Sequence, residues 1–187
     1  MRFSFDAIST FDRSHPGRQA LWERAKAYTD EIEPRKVGRW LTLLGRYGTG
    51  KTHLAKEIYQ WAKRNYSGFR DPDNGDYWQR EFLFLDARDM AERLRNGEWE
   101  LRDRIRSAFL VVFDDLFAAR DTTGFVLDQV EAALNSRVGK WTVITSNLLK
   151  REIADQDPRI ASRLNRNNGQ VLEITKLSDW DAGGKTA

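Results

Sequence analysis

Eight residues constrain this chain more than any other stretch: Gly45-Arg46-Tyr47-Gly48-Thr49-Gly50-Lys51-Thr52. An apolar run, Trp40 to Leu44, precedes them, and a helical pattern, His53 to Tyr66, follows. A strand that gives way to a glycine-rich loop and then to a helix is the context a G-x-x-x-x-G-K-[ST] phosphate loop requires. The glycines let the backbone turn tightly, so successive N–H groups point inward and form an anion nest. The helix N-terminus adds its positive end. Lys51 is placed to reach the β/γ-phosphates and the Thr52 hydroxyl to ligate Mg²⁺, with His53 in the following turn. The expected ligand set is therefore ATP and Mg²⁺, cradled by Gly45 through His53.

A second apolar run, Leu110-Val-Val-Phe, ends in the carboxylates Asp114 and Asp115. Paired with a phosphate loop, this is a Walker B pattern. Asp114 is expected to hold the magnesium shell through water, and Asp115 is expected to orient or deprotonate an attacking water. An aspartate at that second position is one methylene shorter than glutamate, which argues for slow hydrolysis. A third apolar strand, Val143-Ile-Thr, ends in Ser146-Asn147, which places Asn147 to contact the γ-phosphate and the water, the role called sensor 1. Arg159 and Arg163 are four residues apart and share one helix face. Such a pair serves either as an arginine finger for a neighbouring subunit's γ-phosphate or as surface arginines facing solvent or acids.

Between these landmarks the chain alternates strands and helices. The pattern predicts helices over Arg18–Ile32, Ala87–Arg95, Glu98–Ser107, Thr123–Val138, Leu149–Ala154 and Arg159–Asn165. Strands are predicted at 40–44, 81–86, 109–113, 141–145 and 170–174, and 69–78, rich in turn formers, reads as an exposed loop. This is an α/β architecture: a P-loop NTPase core with a five-stranded, mainly parallel sheet, helices on both faces and the site at the strand C-termini. The expected organisation is a lead-in segment and helix over 1–37, an ATPase core over 38–180 with no C-terminal lid, and a frayed tail over 181–187. Phe3 and Phe5 serve either as an adenine wall or as a core anchor.

With no cysteine and two scattered histidines, disulfides and thiolate or histidine metal clusters are excluded. No apolar run approaches a membrane span and the N-terminus has no signal core, so a cytoplasmic protein with no membrane partner is expected. A net charge of +3 is mild; where the arginines cluster matters more. Arg88, Arg93, Arg95, Arg102, Arg104 and Arg106 surround Trp99, the makings of a single-strand nucleic-acid site. Interleaved Asp89, Glu92, Glu98, Glu100 and Asp103 make a salt-bridged solvent face the alternative.

GRYGTGKTHLA, LVVFDDL, ITSNL and DPRIASRL, in this order and spacing, resemble the AAA+ ATPases of the DnaC/IstB-like family, over roughly Phe3 to Trp180. The resemblance implies Arg163 as the arginine finger, ATP-dependent homo-oligomers, single-stranded DNA held in a central channel, and a replicative helicase or a transposase as partner. The sequence departs from that family in two places. Only about forty residues precede the phosphate loop, where helicase loaders carry a helicase-binding domain. No arginine follows the last strand at the sensor 2 position; Lys185 is a poor substitute. The leading expectation is a slow ATPase of the helicase-loader type acting on single-stranded DNA in replication. The alternatives are an IstB-like ATPase assisting a transposase and a weakly hydrolysing, nucleotide-switched binding module. A small-molecule kinase is disfavoured because the paired acids and the asparagine suit attack by water.

Overall fold

The structure, a computed structural model, describes residues 2–70, 77–117, 124–164 and 169–174. Helix α1 (Pro16–Glu31) begins with proline, whose missing N–H is no loss in a first turn, and His15 caps it by accepting from the Gly17 N–H. Strand β1 (Trp40–Gly45) is buried throughout and runs through the loop into α2 (Lys51–Tyr66). Then come β2 (Gly68–Arg70), β3 (Tyr77–Gln79), β4 (Phe82–Asp86), α3 (Ala87–Arg95) and α4 (Glu100–Ser107). Strand β5 (Leu110–Asp114), α5 (Phe125–Ser136), β6 (Trp141–Ser146), α6 (Lys150–Gln156), α7 (Pro158–Arg163) and β7 (Gln170–Ile174) complete the order.

Five strands form one sheet in the order β4-β5-β6-β1-β7, and every pairing in it is parallel. Alternate residues of each strand feed two separate apolar clusters, as a sheet covered on both faces requires. Leu41, Leu43, Leu110, Val112, Trp141 and Val143 pack with α1 and α2. Trp40, Leu44, Val111, Phe113 and Ile144 pack with α3 to α7. Because all five strands point the same way, their C-terminal ends share one edge, and that edge carries Gly45, Asp86, Asp114, Ser146 and Ile174.

The region read as an exposed loop, 69–78, is corrected by the structure. Its arms pair antiparallel, Gly68 opposite Gln79, Phe69 opposite Trp78 and Arg70 opposite Tyr77. Its ends carry β-forming aromatics, whereas the turn formers that dominate its composition lie between the arms, outside the described residues. Phe5 acts as a core anchor: its ring stacks on Trp22 and meets Trp61 edge-on. Phe3 is partly exposed beneath the Arg64 guanidinium. The tail 181–187 and the sensor 2 position lie outside the described residues.

Candidate functional site

The phosphate loop leaves β1 through Gly45 at φ 143° and enters α2 through Gly50 at φ 89°, both in the region that favours glycine. Space as well as torsion demands glycine here. A Cβ on Gly45 would lie 2.7 Å from the Ile174 carbonyl oxygen, and one on Gly50 would lie 2.7 Å from the Phe11 ring. The Lys51 ammonium is folded into the loop and donates to the carbonyls of Gly45 (2.7 Å) and Arg46 (2.9 Å) and to the Thr49 hydroxyl (3.1 Å). A fourth bond runs to Asn147 Oδ1 at 3.1 Å, which joins the loop to the tip of β6. Burial pulls the ammonium down to about 8, against the pull of the Asp115 and Asp114 carboxylates in the other direction. Arg46 reaches Glu152 at 2.7 Å, and the Tyr47 side chain is exposed.

Thr52, in the first turn of α2, donates to Asp114 Oδ1 at 3.0 Å. The Thr145 hydroxyl donates to the same oxygen at 2.6 Å and accepts the Asp115 backbone N–H at 2.9 Å. One threonine of β6 therefore holds both acids of the β5 tip. Asp115 has φ 52°, a left-handed backbone unusual for a non-glycine residue, and Asn147 donates from Nδ2 to its Oδ1. Burial raises the Asp115 carboxyl, and the neighbouring Asp114 and Asp86 charges raise it further. Lys51, Thr52, Asp114, Asp115 and Asn147, drawn from three elements, are thus joined through Thr145 into one hydrogen-bonded group. The Thr52 hydroxyl and the Asp114 carboxylate are hard oxygen donors of the kind magnesium selects, and the loop with its buried ammonium is chemically suited to phosphate. The residues present fit both groups.

Three contributors escaped the motif reading. Thr145 looked like an ordinary strand residue. Glu57 lies on the buried face of α2, where its carboxylate accepts from Ser9 Oγ (2.6 Å), Thr10 N (2.6 Å) and Thr10 Oγ1 (2.9 Å). An acid among Leu54, Ile58 and Trp61 was the available signal, since a buried carboxylate demands partners. Phe11 follows from that clasp and packs against Gly50 and the ring of His53. His53 is 3.3 Å from both Thr10 Oγ1 and Glu57 Oε1.

No protein-family model matches the sequence, and no curated protein is significantly similar to it. Solved structures do match. A DnaC helicase loader is 22% identical, with a TM-score of 0.65 over 89% of this chain and 94% of that one. DnaI is 25% identical, with a TM-score of 0.67 over 94% of this chain and 89% of that one. A replication initiator DnaA bound to AMPPCP and single-stranded DNA is 19% identical, with a TM-score of 0.65 over 89% of this chain and 51% of that one. The fold is that of an AAA+ domain. The likeness to the DnaC/IstB-like group read from the motifs is borne out, and the matched fold is of the nucleotide-binding type.

Within this AAA+ domain the two arginines of the DPRIASR motif differ in setting. Arg163 lies against α5, ion-paired to Glu131 Oε1 at 2.5 Å and donating to Asn135 Oδ1 at 2.7 Å, with its side chain 15% exposed. Arg159 is 60% exposed and shares the other oxygen of Glu131 at 3.1 Å. In the arginine-rich segment, Arg93 pairs with Asp89 and Glu98, Arg104 with Glu81 and Arg106 with Asp103. Trp99 is 52% exposed with the Arg102 guanidinium 4.6 Å from its ring centre. No helix among the described residues is long and apolar enough to cross a membrane.

Proposed function

We propose that this AAA+ domain binds ATP with Mg²⁺, hydrolyses it slowly when alone, and acts on single-stranded DNA in replication in the manner of a helicase loader. The observation that carries the nucleotide reading is the hydrogen-bonded group of Lys51, Thr52, Asp114, Asp115 and Asn147, joined through Thr145 at the C-terminal edge of the sheet. Thr52 and Asp114 hold the magnesium, which neutralises phosphate charge. Lys51 meets the β/γ-phosphates, Asp115 orients the water, and Asn147 positions Asp115 while reaching toward the γ-phosphate. Arg163 acts across a subunit interface in an ATP-dependent homo-oligomer, which requires it to leave Glu131. The replication reading draws on the likeness to DnaC, DnaI and DnaA, and the DNA reading on Trp99 with Arg102 beside it.

A nucleotide-switched module that barely hydrolyses is favoured by one observation: the short Asp115 side chain is already held by Asn147. The test combines anisotropy of a labelled single-stranded oligonucleotide under ATP, ADP or no nucleotide with steady-state turnover. Lys51→Ala and Arg163→Ala run alongside. ATP-dependent binding and turnover, lost in both variants, supports the proposal. Binding with negligible turnover favours the switch, and no DNA binding in any state removes the DNA role. An IstB-like role would instead require capture of a transposase.

A further inference from the structure

The backbone ladder between β5 and β6 ends with Phe113 opposite Ile144, immediately before the acids. Beyond it the chain turns irregularly: Asp115 has φ 52° and Phe117 φ 74°, left-handed settings that a residue with a Cβ adopts at a cost. Such a setting persists only where its surroundings over-determine it. Two consecutive residues of β6 supply that determination. The Thr145 hydroxyl accepts the Asp115 N–H at 2.9 Å, and the Thr145 carbonyl accepts the Leu116 N–H at 2.9 Å. The Ser146 hydroxyl donates to the Leu116 carbonyl at 2.6 Å. Thr145, Ser146 and Leu116 are buried, so water does not compete for these bonds.

The polarity of the Thr145 hydroxyl is fixed. A carboxylate only accepts and a backbone N–H only donates, so the hydroxyl donates to Asp114 Oδ1, at 2.6 Å, and accepts from Asp115. Asp114 Oδ1 takes a second donor, the Thr52 hydroxyl, at 3.0 Å. A directed chain therefore runs from the Asp115 N–H through Thr145 to Asp114, where it meets the first turn of α2. Bonds in such a chain polarise one another, so a change at one end reaches the other. Thr145 itself belongs neither to the phosphate loop nor to the pair of acids.

We infer that Thr145 is a positioning residue: its hydroxyl holds the left-handed Asp115 backbone, and with it the carboxylate, and ties that setting to what Asp114 and Thr52 bind. Valine has the shape of threonine but neither the donor nor the acceptor, whereas serine keeps both. The effect on turnover rests on the nucleotide reading; the hold on the Asp115 backbone does not.

The test compares the full-length parent with Thr145→Val and Thr145→Ser. Amide exchange and amide resonances are read without nucleotide, with ADP in EDTA and with ADP and Mg²⁺; steady-state turnover is measured with ATP. The Asp115 amide should exchange about tenfold faster or more in Thr145→Val, where its acceptor is gone. Its resonance should respond to Mg²⁺ with ADP in the parent and Thr145→Ser, but not in Thr145→Val. The kcat should fall roughly 30-fold or more in Thr145→Val with KM for ATP within about threefold, and Thr145→Ser should return to within about threefold of the parent. A threonine that only fills space would give equal exchange at Asp115 in parent and Thr145→Val, which overturns the inference. So does a Mg²⁺ response that survives in Thr145→Val, or a Thr145→Ser as impaired as Thr145→Val. If Thr145→Val does not fold, the parent decides: an Asp115 resonance that ignores Mg²⁺ while ADP binds overturns the inference. A parent that neither binds nor turns over nucleotide removes the nucleotide reading instead, and the exchange comparison alone then decides the role of Thr145.

Discussion

Arg137 is fully buried, and its guanidinium donates to the carbonyls of Ile105 (3.0 Å), Ala108 (2.6 Å) and Trp141 (2.6 Å) and to the Thr142 hydroxyl (3.2 Å). It pins the end of α4 and the approach to β5 onto the start of β6. Replacing it by methionine fills similar space with no donor. Three buried carbonyls then lose a charge-assisted partner, at roughly 1–3 kcal/mol each. Removing a cation from a dry site offsets part of that loss, leaving a net destabilisation of about 3–4 kcal/mol. Urea unfolding measures it directly. With a slope on the order of 2–3 kcal/mol per molar, the midpoint drops by roughly 1–2 M at unchanged slope. Arg137→Lys keeps the charge but replaces a rigid five-donor fork by three donors on one nitrogen, so it should fall between parent and Arg137→Met. A loss below about 1 kcal/mol in Arg137→Met refutes the reasoning, because the carbonyls would then have found other partners.

Three further outcomes are expected. The free-state Lys51 ammonium sits at about 8 and phosphate favours its charged form, so above that pH nucleotide binding must take up a proton. The nucleotide dissociation constant should therefore rise with pH beyond 8, approaching about tenfold per unit; a flat profile from pH 7 to about 9.5 in fluorescent-nucleotide titrations sinks the assignment. Asp115→Asn should leave nucleotide affinity within about twofold of the parent and lower single-turnover hydrolysis by roughly 100-fold or more, whereas equal rates would remove Asp115 from the chemistry. Gly50→Ala meets both a positive φ and the Phe11 ring, and should lose about 1–2 kcal/mol for the backbone alone. Adding Phe11→Leu should recover only the steric remainder, and full recovery on denaturation would show that the torsion carries no cost.

Much of this structure was legible in the residue order. Glycine spacing, the Asp114-Asp115 strand end and the Ser146-Asn147 strand end each report local geometry, and local geometry is what periodicity and turn chemistry encode. The strands predicted at 40–44, 141–145 and 170–174 are found at 40–45, 141–146 and 170–174. Helix ends are less secure: α4 begins at Glu100 rather than Glu98, and α7 runs from Pro158 to Arg163 rather than from Arg159 onward. What stayed hidden depends on contacts between distant parts of the chain. Arg137, in the last turn of the helix predicted over Thr123–Val138, gives no sign of burial until Ile105 and Trp141 are known to surround it. Which acid faces Arg163 is hidden until Glu131, on another helix, is found against it. The Thr145 link to both acids likewise needs β5 and β6 to be neighbours, which no single strand announces.

The pairing of β1 has a consequence for how the protein comes into being. Trp40 lies beside Thr142 on one side, and Leu41 beside Gln170 on the other. Among the described residues, the strand that launches the phosphate loop thus has no strand partner between 46 and 140. During synthesis, β4 and β5 can join each other early, whereas β1 must wait for β6 and then β7 to emerge, a closure over a long stretch of chain. Gly45 gains its fixed surroundings only when Ile174 closes against it. A growing chain therefore makes its acids long before it possesses a complete phosphate cradle, which forms only as the last strand of the sheet joins.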